Sequence, residues 1–157
     1  MCIFGKINFK IKKNPLSFEA IICYNRHTVN WVWRLGMAKI LVTDDAAFMR
    51  MMLGNILKEA GFEVCEANNG KDMLQKYDLE KPDLVTLDIT MPELDGLDAL
   101  KILKEKYPKA KVIMCSAMGQ ESMVLDAIRS GAYDFIVKPF EKSKVLGSVR
   151  KVLAMNI

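Results

Sequence analysis

From residue 39 onward, short apolar runs alternate with longer stretches of helical spacing, and the pair recurs five times. Lys39 to Thr43 predicts a strand and Ala46 to Ala60 a helix, with Phe48, Met52 and Ile56 on one face and Leu53 and Leu57 beside them. Gly61 supplies the helix stop. Glu63 to Ala67 is a second strand, and Asn68-Asn69-Gly70 turns into a helix from about Lys71 to Leu79. Pro82 punctuates before a third strand, Asp83 to Asp88, which the Met91-Pro92 turn closes. Leu97, Leu100 and Leu103 predict a helix running to Tyr107, just before Pro108. Lys111 to Ser116 is a fourth strand, Gln120 to Ser130 a helix closed by Gly131, and Tyr133 to Val137 a fifth strand. Glu141 to Ala154 is the last helix, with Val145, Val149, Val152 and Leu153 inward.

This alternation reads as (βα)5. Strands that are apolar on both faces need helices on both sides, and right-handed crossovers then give an α/β fold, a doubly wound five-stranded parallel sheet. Length and composition agree, since 157 residues at 51% apolar content suffice for one domain with a real core.

Charge changes the picture at one end only. The net charge is +4, but residues 1–36 hold six basic side chains against one acid, Glu19, a net of +5. The rest of the chain carries 17 basic and 18 acidic residues, so the domain has no charge reason to bind nucleic acid. Residues 1–36 also hold both tryptophans, Trp31 and Trp33, and the single histidine, His27. Met37 opens directly onto the first strand. The favoured reading is a natural start at Met37, with 1–36 a misassigned upstream extension; the alternative is a basic arm that touches anionic lipid or nucleic acid. Cys2, Cys23, Cys65 and Cys115 show neither pairing nor metal-ligand spacing, which fits a reducing, cytoplasmic compartment. No apolar run approaches membrane-spanning length, so no membrane partner is expected.

In an open parallel sheet, chemistry gathers outside the carboxyl ends of the strands. The first strand brings Asp44 and Asp45 there, the third Asp88, the fourth Ser116 and the fifth Lys138. Each has an ordinary structural reading: the aspartates as a helix cap, the serine as a turn hydroxyl, the lysine as a surface cation. Together they point to one pocket. Three converging carboxylates repel one another and demand a cation, and an all-oxygen set that leaves room for phosphate suits Mg²⁺. The residues therefore predict a site where Asp88 is the nucleophile for a phosphoryl group, with Mg²⁺ and Lys138 neutralising its charge.

The motifs Ile40-Leu41-Val42-Thr43-Asp44-Asp45, Asp88-Ile89-Thr90-Met91-Pro92 with Asp95-Gly96, Ser116-Ala117 and Lys138-Pro139-Phe140 make residues 37–157 resemble a receiver domain of a two-component response regulator, most like stand-alone chemotaxis regulators. That resemblance implies a flavodoxin-like sheet of strand order 2-1-3-4-5, an order for which such receivers are themselves an example. It implies that Asp88 is the phosphoacceptor. Asp45, Asp88 and the carbonyl of Thr90 would then hold Mg²⁺, with Asp44 acting through a water. Ser116 and Lys138 would bind the phosphoryl group, and Lys138-Pro139 would be cis. Phe135 would be the switch aromatic; it lacks the hydroxyl that many chemotaxis regulators carry there, so switching would rest on packing. Thr90 and Met118 would flank the hydrolytic water, and Met118, with no polar group, predicts slow self-dephosphorylation unless a phosphatase assists.

The expected function is that of a single-domain, monomeric regulator. A histidine kinase would phosphorylate it, and it would signal by binding a protein, with a flagellar motor switch protein favoured. Because the chain stops after its last helix, output is expected through a surface, on the face of the fourth helix, fifth strand and fifth helix. A phosphorelay intermediate or phosphate sink is the alternative in the same fold. An aspartyl-phosphate phosphatase is the alternative of another class, but it typically needs a second Asp where Thr90 stands. A flavin carrier would need a glycine- and hydroxyl-rich phosphate loop where Asp44-Asp45 stand.

Overall fold

A computed structural model describes residues 38–117 and 121–155. Strands β1 (Lys39–Thr43), β2 (Glu63–Ala67), β3 (Leu84–Asp88), β4 (Val112–Ser116) and β5 (Asp134–Val137) form one parallel sheet, ordered β2-β1-β3-β4-β5. Helices α1 (Ala47–Glu59), α2 (Gly70–Glu80), α3 (Gly96–Lys106), α4 (Glu121–Arg129) and α5 (Lys142–Leu153) connect and follow them. The predicted (βα)5 order is present, each described boundary lying within a residue of its sequence expectation. The proposed start at Met37, the extension 1–36, Met118 and Gln120 lie outside the described residues.

Period-two alternation sorts the strand residues into two cores. Leu41, Val85, Leu87 and Met114 pack beneath α2, α3 and α4 with Met73, Leu100, Leu103 and Ala127. Ile40, Val42, Ile113 and Cys115 pack beneath α1 and α5 with Leu53, Leu57, Val145, Val149 and Val152. Each fully buried aliphatic side chain contributes about 1.5–3 kcal/mol relative to exposure. Leu153 is only half-buried.

One expectation needs correction. The apolar face of α1 is not centred on Phe48, Met52 and Ile56: Leu53 and Leu57 are buried, whereas Phe48 is 63% exposed. Phe48 lies in the first turn, beside the carboxyl end of β1, where the sheet has ended and offers no surface to cover it. Helical spacing identified the helix, but the helix's position over the sheet decided which apolar residues it buries.

Local chemistry sets the other ends. Asn69 caps α2, its side chain accepting from the Asp72 N–H at 2.8 Å. Gly61 and Gly131 follow α1 and α4 with φ of 90° and 100°, backbone angles that a Cβ would strain.

Candidate functional site

The sheet register aligns the strand ends. Thr43 faces Leu87, Asp88 faces Cys115, and Ser116 faces Val137, so Asp44, Asp88, Ser116 and Lys138 stand side by side at one edge. Main-chain bonds tie that edge together: Ile89 N–H donates to Cys115 O at 3.0 Å and Lys138 N–H to Ser116 O at 2.8 Å. Asp44, Asp88 and Ser116 are buried, whereas Asp45 is exposed.

One carboxylate oxygen from each of Asp44, Asp45 and Asp88 lies within 4.8 Å of the others. Opposite them, Lys138 Nζ bridges Asp44 Oδ2 at 2.6 Å and Asp88 Oδ1 at 2.8 Å. Its side chain is 13% exposed, so Lys138 is no ordinary surface lysine. The Asp45 carboxylate has no ion-pair partner among the described residues. One ammonium against three carboxylates leaves negative charge uncompensated, and an all-oxygen set of this kind suits a hard divalent cation.

The helix-cap reading of the first pair is not what forms: α1 starts from Ala46 with no side-chain cap, and Asp44 closes a turn before it instead. Ala46 N–H donates to Asp44 Oδ1 at 2.9 Å while Asp44 Oδ2 meets Lys138, so one carboxylate secures both the turn and the site. Thr90 lies exposed two residues past Asp88, and the Lys138–Pro139 peptide bond is cis. Phe135 packs against the core beneath α2, α3 and α4, half-buried, and lines a groove with Val137, Pro139, Lys144 and Lys151. The structure thus brings Asp44, Asp45, Asp88, Ser116 and Lys138 together and sets Phe135 apart on β5.

Residue type and spacing give Arg50 no part in the site and mark Gly96 only as a motif letter. Arg50 hydrogen-bonds the carbonyls of both Asp44 and Asp45. A Cβ on Gly96 would fall 2.0 Å from the Asp88 carbonyl oxygen. A glycine directly after a helix-capping Asp was the available signal for close backbone approach; a lone arginine on a helix carried none. The hydroxyls of Thr43 and Thr86, each within two residues of a site aspartate, are buried without a partner.

Burial pushes the Asp88 carboxyl up from its ordinary value, and the bond to Lys138 only partly offsets this. Burial pulls the Lys138 ammonium down, but its hydrogen bonds to Asp44 and Asp88 and their charges reverse that to a net rise. A raised carboxyl holds its proton more tightly folded than unfolded. The Asp88 contribution to stability is therefore full in acid and lost as pH rises through the raised value. With divalent cations chelated, Asp88→Asn should melt above the wild-type protein at neutral pH, and the difference should shrink toward acid pH. Thermal unfolding followed by circular dichroism checks this; a pH-independent difference would contradict it.

Residues 40–150 match the response regulator receiver domain. The chain is 60% identical over 116 residues to the chemotaxis protein CheY of Listeria monocytogenes, covering 73% of this chain and 98% of that protein. It is 56% identical over 115 residues to the chemotaxis protein CheY of Thermotoga maritima, covering 73% and 96%. Among solved structures it is similar to a chain of the CheX-CheY-BeF3-Mg²⁺ complex from Borrelia burgdorferi. There the TM-score is 0.72 at 39% identity, covering 75% of this chain and 90% of that one. A parallel sheet of this order, with three carboxylates and a lysine at its carboxyl edge, matched over this much of the chain, belongs to the response regulator receiver domain family, in its CheY-like branch.

Proposed function

We propose that the protein accepts a phosphoryl group on Asp88 from the phosphohistidine of a histidine kinase and signals by phosphorylation-dependent protein binding. The observation that carries this reading is the half-buried Lys138 bridge between the buried Asp44 and Asp88, set beside a carboxylate cluster with negative charge to spare. An Asp88 oxygen attacks phosphorus, an O–P bond forms, and the P–N bond to the donor imidazole breaks, its electron pair staying on nitrogen. Lys138 exchanges its contact with Asp88 for a phosphoryl oxygen, and Ser116 holds another. Asp44, Asp45, Asp88 and the Thr90 carbonyl form the set that would hold Mg²⁺. When bound, the ion supplies charge neutralisation for the transferring group.

Loading draws Ser116 toward the phosphoryl group, and Phe135 repacks inward by packing alone. Residues 90 and 118, neither of them acidic, leave the phosphoryl group to a slow decay that a phosphatase accelerates. The resulting surface change is read by a partner, for which a flagellar motor switch protein is the favoured choice. The protein acts as a cytoplasmic, monomeric signal carrier and not as a turnover enzyme. The chemotaxis relatives support that output, and Thr90 in place of a second aspartate supports a switch over a phosphatase. Among the described residues no helix is long and apolar enough to cross a membrane.

The test is phosphoryl uptake from a phosphorylated histidine kinase with Mg²⁺ present, mapped by mass spectrometry. Asp88 should carry the group, while Asp88→Ala and chelation should each abolish uptake. A pull-down with the beryllofluoride-loaded protein should recover a flagellar switch protein that the unloaded protein does not. Undiminished uptake by Asp88→Ala would overturn the assignment.

A further inference from the structure

The geometry points to Arg50 as the positioning residue of the acidic corner, held in place by Glu66; this rests on reading Asp44, Asp45 and Asp88 as a divalent-cation site. β1 ends at Thr43, and α1 does not begin until Ala47, so the carbonyls of Asp44 and Asp45 lie outside both the strand ladder and the helix. Arg50 Nη1 donates to the Asp44 carbonyl at 2.9 Å and to the Asp45 carbonyl at 3.1 Å. A charged donor makes both bonds stronger than neutral ones. Nε donates to Glu66 Oε2 on β2 at 3.3 Å, and the Arg50 side chain is only 17% exposed.

One planar guanidinium therefore ties α1, the corner and the neighbouring strand. Fixing two successive carbonyls fixes the peptide planes that follow Asp44 and Asp45, and with them the directions in which those side chains leave the backbone. That constraint matters because the three carboxylates repel one another. Asp44 is held by Lys138 and by the Ala46 N–H, but the carboxylate of Asp45 has neither aid. Without Arg50, repulsion can be relieved by turning the corner outward, and the ligand set must then be reassembled when the cation arrives. With it, the set is preorganised, and the pairing with Glu66 offsets the repulsion between the guanidinium and an incoming cation. Glu66 keeps the guanidinium from swinging to the carboxylates themselves, where it would compete with the cation.

Calorimetric Mg²⁺ titration of the full chain tests this, with melting temperature in chelator measured alongside. Arg50→Gln should weaken Mg²⁺ binding about tenfold, the lower end of what outer-shell changes cost metal sites. Arg50→Lys, which cannot hold two carbonyls and Glu66 at once, should fall between. Glu66→Gln keeps an acceptor but loses the charge, and should weaken binding about twofold. Phosphoryl uptake by Arg50→Gln should recover its maximal rate at high Mg²⁺, with the half-saturating concentration raised. A merely structural arginine would lower the melting temperature and leave Mg²⁺ affinity alone; that result overturns the proposal. If Arg50→Gln fails to fold, unchanged affinity in both Arg50→Lys and Glu66→Gln overturns it equally. Absence of Mg²⁺ binding by the wild-type protein would instead bring down the cation-site reading beneath it.

Discussion

Gly96→Ala should destabilise the protein by about 3 kcal/mol, the upper range for overpacking, lowering its melting temperature by roughly 10 °C. Helix propensity alone predicts the opposite, because alanine outranks glycine in a helix by about 1 kcal/mol. The clash decides the sign. The added Cβ would meet the Asp88 carbonyl oxygen at 2.0 Å and the Ile89 Cα at 2.9 Å, and both are backbone atoms that cannot swing aside. Gly96 N–H also donates to the Ile89 carbonyl at 2.8 Å, so moving the helix start breaks a bond that closes the loop after β3. Relief must come from shifting the end of β3, which carries Asp88 with it, so Mg²⁺ affinity and phosphoryl uptake should fall as well. Gly147, exposed within α5, is the internal control: a Cβ there meets nothing within 4 Å. Gly147→Ala should stabilise by about 0.5–1 kcal/mol through propensity alone. Denaturant unfolding of both variants measures the pair, and equal signs would refute the contact argument.

Lys138→Met should cost about 3 kcal/mol at neutral pH in the presence of chelator. Removing one partner of a buried ion pair typically costs 3–5 kcal/mol, and the exposed Asp45 side of the site lets water screen part of the loss. Methionine preserves the stem's packing, so the deficit reports charge. Two dependences separate this from a packing defect. The deficit should shrink as pH falls and Asp88 takes up its proton. It should also shrink with Mg²⁺, because the variant lacks the competing ammonium and binds the cation more tightly than the parent, and linkage stabilisation grows from about 2.7 kcal/mol at a hundredfold the dissociation constant to about 4.1 at a thousandfold. In the wild-type protein the raised Lys138 pKa keeps its contribution intact through neutral pH and releases it only in alkali, as the ammonium deprotonates. Phosphoryl uptake by Lys138→Met should remain severely impaired even where Mg²⁺ restores stability. A variant as stable as the parent in chelator at neutral pH would show that the lysine does not balance these acids.

Much of this protein was legible in its residues. Alternating periods predicted each strand and helix, because a fully buried strand must be apolar on both faces and a covering helix on one. The convergence of Asp44, Asp45, Asp88, Ser116 and Lys138 followed from parallel topology alone, since every strand in such a sheet ends at the same edge. What sequence could not decide was anything set by distance across the fold. Phe48 and Leu53 are both apolar and lie on the same helix, yet only Leu53 lies over the sheet. Gly96 reads as a weak helix residue until the Asp88 carbonyl is found against it, and Arg50 reads as an exposed charge until two carbonyls turn toward it. Period and residue type determine which elements form and which edge carries the chemistry. Only the packed structure decides which side chains meet there, because steric contact and Coulomb energy depend on separation in space, which sequence order does not contain.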